Sequence, residues 1–235
     1  MIGHTHYPES YVHKNYVTAG GYPVYEHILG ATCGAWWNST MNVEGSPNMY
    51  GVFKIEGNEI VNWREKATGE DESFHIRVFD GGQLYDGKST DSRYWYKYSK
   101  IYYWGGGNTE GTSSTVSKYK GYFIADVWDS DASYWTCTLT INGKTYPMSR
   151  VSEKLTNASS KAYYVNHLGK TSTPYDKAMD HYYVVKVDGV DPATATGWVV
   201  TATQKIPCSS GTVNTYTATS LQKDYTGYVN PEEFN

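Results

Sequence analysis

Two histidines one residue apart, His4 and His6, stand in the run Gly3-His4-Thr5-His6 near the amino terminus. Neutral imidazole is a ligand for Zn, Fe, Ni and Cu and, alongside carboxylates, for Mn. The glycine before the pair permits a tight backbone turn, so one loop can present both rings to divalent ions. The pair is not a complete site, because a catalytic divalent centre needs at least three protein ligands held together. Whatever chemistry Gly3–His6 performs depends on groups brought from elsewhere.

Other candidate groups are read as structural. His27 lies between Glu26 and Ile28 in a strand pattern and is expected to be a hydrogen-bonded sheet histidine. His13 is placed in a loop, and His75, His167 and His181 show no metal spacing. Asp126, Asp129 and Asp131 are close enough to suggest calcium. Their run lacks both the turn glycine and the terminal Glu of a calcium loop, so a solvated strand-end turn is expected. Gly105-Gly106-Gly107 precedes a polar loop rather than a helix and does not make a phosphate cradle. Cys33, Cys137 and Cys208 are odd in number and far apart, which supports neither a disulfide framework nor a Cys-based zinc site. An aromatic stretch from Tyr94 and Trp95 to Trp104 is read as packing, with a glycan- or protein-binding face as the alternative.

The elements that must position these groups are strands. With 24 Tyr and 8 Trp, aromatic residues make up 16% of the 235, and such residues favour pleated, half-buried surfaces. Val24–Ala31 reads as a central strand, and Tyr50–Ile55 and Glu59–Lys66 flank the turn Glu56-Gly57-Asn58. In 74–79, Phe74, Ile76 and Val78 share one face, with His75 and Arg77 on the other. From 134 to 141, Trp135, Cys137, Leu139 and Ile141 alternate with threonines, and Asn142-Gly143 supplies the positive-φ pair of a two-residue hairpin. One short helix is expected within 149–163. His181, Tyr183, Val185 and Val187 share a face, as do Trp198, Val200 and Ala202, and Val213–Ser220 is the last strand. Strands joined by short polar turns predict antiparallel sheets packed as a sandwich. A net charge of −4 without basic runs argues against nucleic acid and anionic membranes as partners. No stretch is long and apolar enough to span a bilayer, and no secretion leader is visible.

The order Gly3-His4-Thr5-His6, Tyr25-Glu26-His27-Ile28-Leu29-Gly30-Ala31-Thr32-Cys33-Gly34-Ala35-Trp36-Trp37, Gly45-Ser46-Pro47-Asn48-Met49-Tyr50-Gly51-Val52-Phe53 and Trp63 resembles the end of a bacterial calcineurin-like metallophosphoesterase catalytic domain. The β-rich carboxy-terminal domain of that group is resembled by Phe74–Asp80, Asp126-Val127-Trp128, Asn142-Gly143-Lys144, Met148-Ser149-Arg150-Val151, His181 and Gly197–Thr203. The resemblance implies a mostly β fold. Residues 1–66 would be a remnant of the strands closing the catalytic α/β sandwich, and residues 67–235 an antiparallel β-sandwich accessory domain.

It further implies that His4 ligates one metal, and His6 the other, of two divalent ions that hydrolyse phosphoesters in the intact family enzyme. The remaining ligands of such a centre come from Asp-x-His, Gly-Asp-x-x-Asp and Gly-Asn-His motifs, none of which occurs in these 235 residues. The chain is therefore expected to open within a metal site, to bind no metals stably and to be inactive alone. Its partner is expected to be the missing catalytic portion, or a second copy meeting exposed strand edges. Relatives of this layout look exported or periplasmic, whereas this chain shows no signal peptide of its own.

Overall fold

In a computed structural model, residues 7–34, 41–42, 45–85, 100–104, 109–110, 117–154 and 178–222 are described. In chain order the strands are β1 (Glu9–Val17), β2 (Pro23–Ile28), β3 (Met49–Glu56), β4 (Glu59–Ala67), β5 (Arg77–Asp80), β6 (Leu84–Tyr85), β7 (Lys100–Tyr103), β8 (Thr109–Glu110), β9 (Tyr122–Asp126), β10 (Trp135–Ile141), β11 (Lys144–Pro147), β12 (Ser149–Lys154), β13 (Ala178–Lys186), β14 (Val199–Lys205) and β15 (Val213–Ala218). Their ladders are antiparallel, and no helix occurs among the described residues. The fold is mostly β, as the composition predicts.

Two four-stranded sheets, β11-β10-β14-β15 and β12-β13-β9-β5, share one core. The apolar face of β10, from Trp135 to Ile141, and Val200 and Ala202 of β14 cluster with Val78, Phe123, Ala125 and Tyr183 of the other sheet. The alternation along β10 produces this directly, because period-2 side chains put every second residue inside. Asn142 (φ 51°) and Gly143 (φ 73°) close the β10–β11 hairpin in the left-handed conformation that the Asn-Gly pair tolerates. The chain then changes sheets at Met148, whose amide donates to the Cys137 carbonyl at 2.9 Å. Beyond this corner, where a short helix is expected, the described chain is strand as far as residue 154. Ser149–Lys154 is edge strand β12, and residues 155–163 lie outside the described residues.

The sheet holding β9 and β13 is covered on its outer side as well. Phe79, Ile124, Tyr182 and Val184 cluster there with Tyr7, Met41, Trp104, Tyr119 and Met179. With both faces apolar, the alternation in 181–187 no longer separates inside from outside: Tyr182 and Val184 are buried like Tyr183. The same holds where the chain enters β5, since His75 and Arg77 are as buried as Ile76 and Val78.

The first two hairpins differ most from expectation. Val24–Ala31 is not a central strand: β2 pairs with β1, from Glu9↔Ile28 to Val17↔Pro23, as a two-stranded ribbon. Strand β1 carries Tyr, Val, His, Lys and Asn in no clean period, which hid it, and it places His13 in a strand rather than a loop. Strands β3 and β4 form a second ribbon around Gly57 (φ 60°). That ribbon docks on the sandwich through Val61 and Trp63 against Ile206 and Cys208, and through Met49 and Ala67 against Trp128. Polar ties reinforce it, from the Ser209 amide to Glu59 Oε1 at 2.7 Å and from Asn214 Nδ2 to Asn62 Oδ1 at 2.8 Å.

Candidate functional site

Strand β5 carries an arginine into the interior, and the fold has to answer that charge. Arg77 Nη2 reaches Asp126 Oδ2 at 2.9 Å and also donates to the Gly45 carbonyl, while its guanidinium lies over the Trp128 and Phe79 rings. The other carboxylate oxygen, Asp126 Oδ1, accepts from His181 Nδ1 at 2.9 Å. Burial alone would raise the Asp126 pKa; the His181 and Arg77 partners outweigh it and hold the carboxyl below its usual range.

The turn after β9 continues the cluster. Asp129 Oδ1 lies 3.0 Å from His75 Nε2, and Asp129 Oδ2 accepts the Glu65 amide at 3.1 Å. The Trp128 indole donates to the Glu65 carbonyl at 3.2 Å, and Glu65 Oε2 accepts the Gly30 amide at 3.0 Å. Tyr25 donates its hydroxyl to Asp131 Oδ2, and burial beside that carboxylate pushes the phenol well above its ordinary pKa. Asp131 Oδ1 also accepts the Ser133 and Tyr134 amides, closing the turn on itself. The acidic run is therefore not the solvated turn its composition predicts. All three aspartates are buried, because their partners come from residues roughly 50 to 105 positions away and leave no local trace.

A second layer fixes the residues on either side of Gly45, whose carbonyl Arg77 grips. Asn42 accepts the Ala31 amide at 2.8 Å and donates to the Pro47 carbonyl at 2.7 Å and to Ser46 Oγ at 3.1 Å. Gly30 is required beside it: a Cβ there would fall 2.6 Å from Met49 Cγ and 2.8 Å from Asn42 Nδ2. His27, with Tyr25 stacked on it at 4.6 Å and Trp63 edge-on at 5.2 Å, is the buried sheet histidine expected. Burial lowers its pKa to about 4, so the ring is neutral in the folded protein. His13 pairs with Glu26 at 2.8 Å on the exposed part of the β1–β2 ribbon.

Chemically this is a lock rather than a reaction centre. Arg77, Asp126, Asp129, His75 and His181 are at most 2% exposed, so neither substrate nor attacking water reaches them. Buried ion pairs of this kind set a unique register between packed pieces and need not add net stability. Among the described residues no group of three or more His, Cys, Asp or Glu is disposed to hold a metal ion.

The expected metal ligands His4 and His6 lie outside the described residues, as do Tyr94, Trp95 and His167. Trp104 is described and is 1% exposed, packed 5.1 Å from the Phe79 ring and 5.5 Å from Tyr182. Its ring serves the core. The interlocked set was missed from sequence, although a charged residue inside each apolar run (Arg77 in Ile-Arg-Val-Phe, Asp126 in Ile-Ala-Asp-Val-Trp) marks it.

Comparison with protein families gives a match over most of the chain. A model described as the C terminal of calcineurin-like phosphoesterase fits residues 26–206, beginning beyond the Gly3–His6 segment. Neither the curated proteins nor the solved structures gave a match.

Proposed function

Since the chain belongs to the C-terminal family of calcineurin-like phosphoesterases, we propose that its β-sandwich buttresses a phosphoesterase metal centre and does not hydrolyse phosphoesters by itself. In this reading residues 67–235 are the accessory domain and residues 1–66 belong to the catalytic unit. His4 and His6 each supply an imidazole to one of two divalent ions, and when bound those ions polarise the phosphoryl oxygens. The carboxylate and asparagine ligands come from polypeptide outside these 235 residues, which hold none of the three motifs that carry them.

The observation that carries the reading is the position of Tyr7. It follows His6 directly and is buried in the cluster of Phe79, Trp104 and Tyr182. The accessory sheet thereby fixes the chain one residue after the histidine pair. The Arg77–Asp126–His181 lock and the Asp129 turn hold the preceding ribbons against that sheet, and a metal ligand set depends on such outer support. The β1–β2 and β3–β4 ribbons contain no third strand among the described residues. Their outer edges are where the remainder of a catalytic sheet, or a second copy of the chain, would pair.

The test is a chromogenic phosphomonoester and phosphodiester assay on the full chain with Mn, Zn, Mg, Fe or Ca added. Release at the rate of the protein-free blank is expected. Metal-dependent turnover that disappears in His4→Ala and His6→Ala would show that this chain builds a working centre alone, and the proposal would fail.

A further inference from the structure

Where the chain leaves β11 for β12 the two sheets part, and an open groove of about 830 Å³ lies between β10, the Pro147–Met148 corner and strands β12 and β13. That size is in the range of small-molecule sites. Arg150 and Asp180 stand on its wall with Nη2 and Oδ2 3.0 Å apart, and Arg150 also donates to the Ser130 carbonyl at 3.3 Å. Thr136 and Ser152 contribute exposed hydroxyls. Burial pushes the Tyr183 phenol up to about 12, so it remains a neutral hydroxyl. Met148 and Val151 supply apolar surface beside these groups.

The charges decide the ligand class. Arg150 and Asp180 compensate each other, so the groove carries no net charge with which to select an anion or a cation. What remains is a planar donor fork, a two-oxygen acceptor and hydroxyls next to an apolar patch. Vicinal ring hydroxyls satisfy this set. A carboxylate accepts from two neighbouring O–H groups, the guanidinium donates to ring or hydroxyl oxygens, and the C–H face of the ring lies on the methionine and valine. We propose that this groove binds a neutral, hydroxyl-rich ligand, one or two sugar units of an uncharged glycan. The inference is independent of the phosphoesterase reading. The groove is a different place from the Tyr94–Trp104 stretch, of which Trp104 is committed to the core.

The experiment titrates the full chain with maltotriose, cellotriose, xylotriose and tri-N-acetylchitotriose, read by saturation-transfer NMR and tryptophan fluorescence. At least one trisaccharide should bind saturably. Asp180→Asn and Thr136→Val should each weaken it ten-fold or more while leaving the melting curve in place. Absence of saturable binding by all four, or binding unchanged in both variants, overturns the proposal. Tighter binding of a glucuronate oligomer, a sugar phosphate or an unstructured peptide than of any neutral trisaccharide overturns it equally.

Discussion

Arg77 and Asp126 stand opposite each other in the β5–β9 register and join side chains at 2.9 Å inside the protein. The pair converts a sheet register into an electrostatic requirement, since a one-residue slip would bury both charges unmatched.

Asp126→Asn should therefore destabilise the chain by about 3–5 kcal/mol, because Arg77 stays buried against a neutral amide. The double variant Arg77→Met with Asp126→Asn should lose less than the sum of the single changes, with a coupling of about 1–3 kcal/mol. Urea denaturation at neutral pH measures both. A single-variant loss under about 1 kcal/mol, the scale of exposed ion pairs, would contradict the lock.

Acid should act in two steps of known sign. His27 has its pKa lowered from 6.5 to about 4 by burial, so between those values the unfolded chain binds a proton that the folded chain refuses. Stability falls as pH drops through that window, by at most about 3–4 kcal/mol at ~1.4 kcal/mol per pKa unit. Below it, Asp126 adds a second loss as pH falls through its depressed folded value. His27→Phe should flatten the first step and leave the second, as read from urea midpoints between pH 7 and pH 3.

The sequence was readable wherever burial is one-sided and contacts are local. The β10–β11 hairpin has a dry face, a threonine face and an Asn-Gly turn, and it forms as its pattern predicts. Strand β13 was found but its faces were not separable, because Tyr182 and Tyr183 enter two different cores. Strand β12 lacks an apolar period, since it is an edge strand at a sheet-switching corner, and it resembles a helix start instead. The acidic turn was misread for a further reason. Nothing near Asp129 or Asp131 announces that the Glu65 amide and the Tyr25 hydroxyl will meet them across the fold.

Neighbouring glycines should respond very unequally to alanine. A Cβ on Gly81 would sit 1.9 Å from the Tyr119 carbonyl oxygen, a backbone atom that cannot swing aside, whereas at Gly82 the nearest atom is Asp80 Oδ1 at 3.4 Å. Gly81→Ala should cost about 3 kcal/mol or prevent folding, and Gly82→Ala less than about 1 kcal/mol. Thermal melts of the two variants compare them directly.

Tyr7 links the sandwich to the histidine pair, and its removal separates stability from anchoring. Tyr7→Ala deletes a buried aromatic ring from the cluster with Phe79 and Trp104, at a cost of about 3–5 kcal/mol if the site does not collapse. Tyr7→Phe keeps the ring and should lose no more than the ~1 kcal/mol of a typical hydrogen bond. Under conditions where both variants remain folded, hydrogen exchange should quicken at the β1 amides that follow residue 7 in Tyr7→Ala alone. The β10–β14 ladder, on the far side of the sandwich, should stay protected. Equal protection of β1 in both variants would mean that the ribbon is held by its pairing with β2 and the Ser10–His27 contact, and that the sandwich does not fix the chain at the histidines.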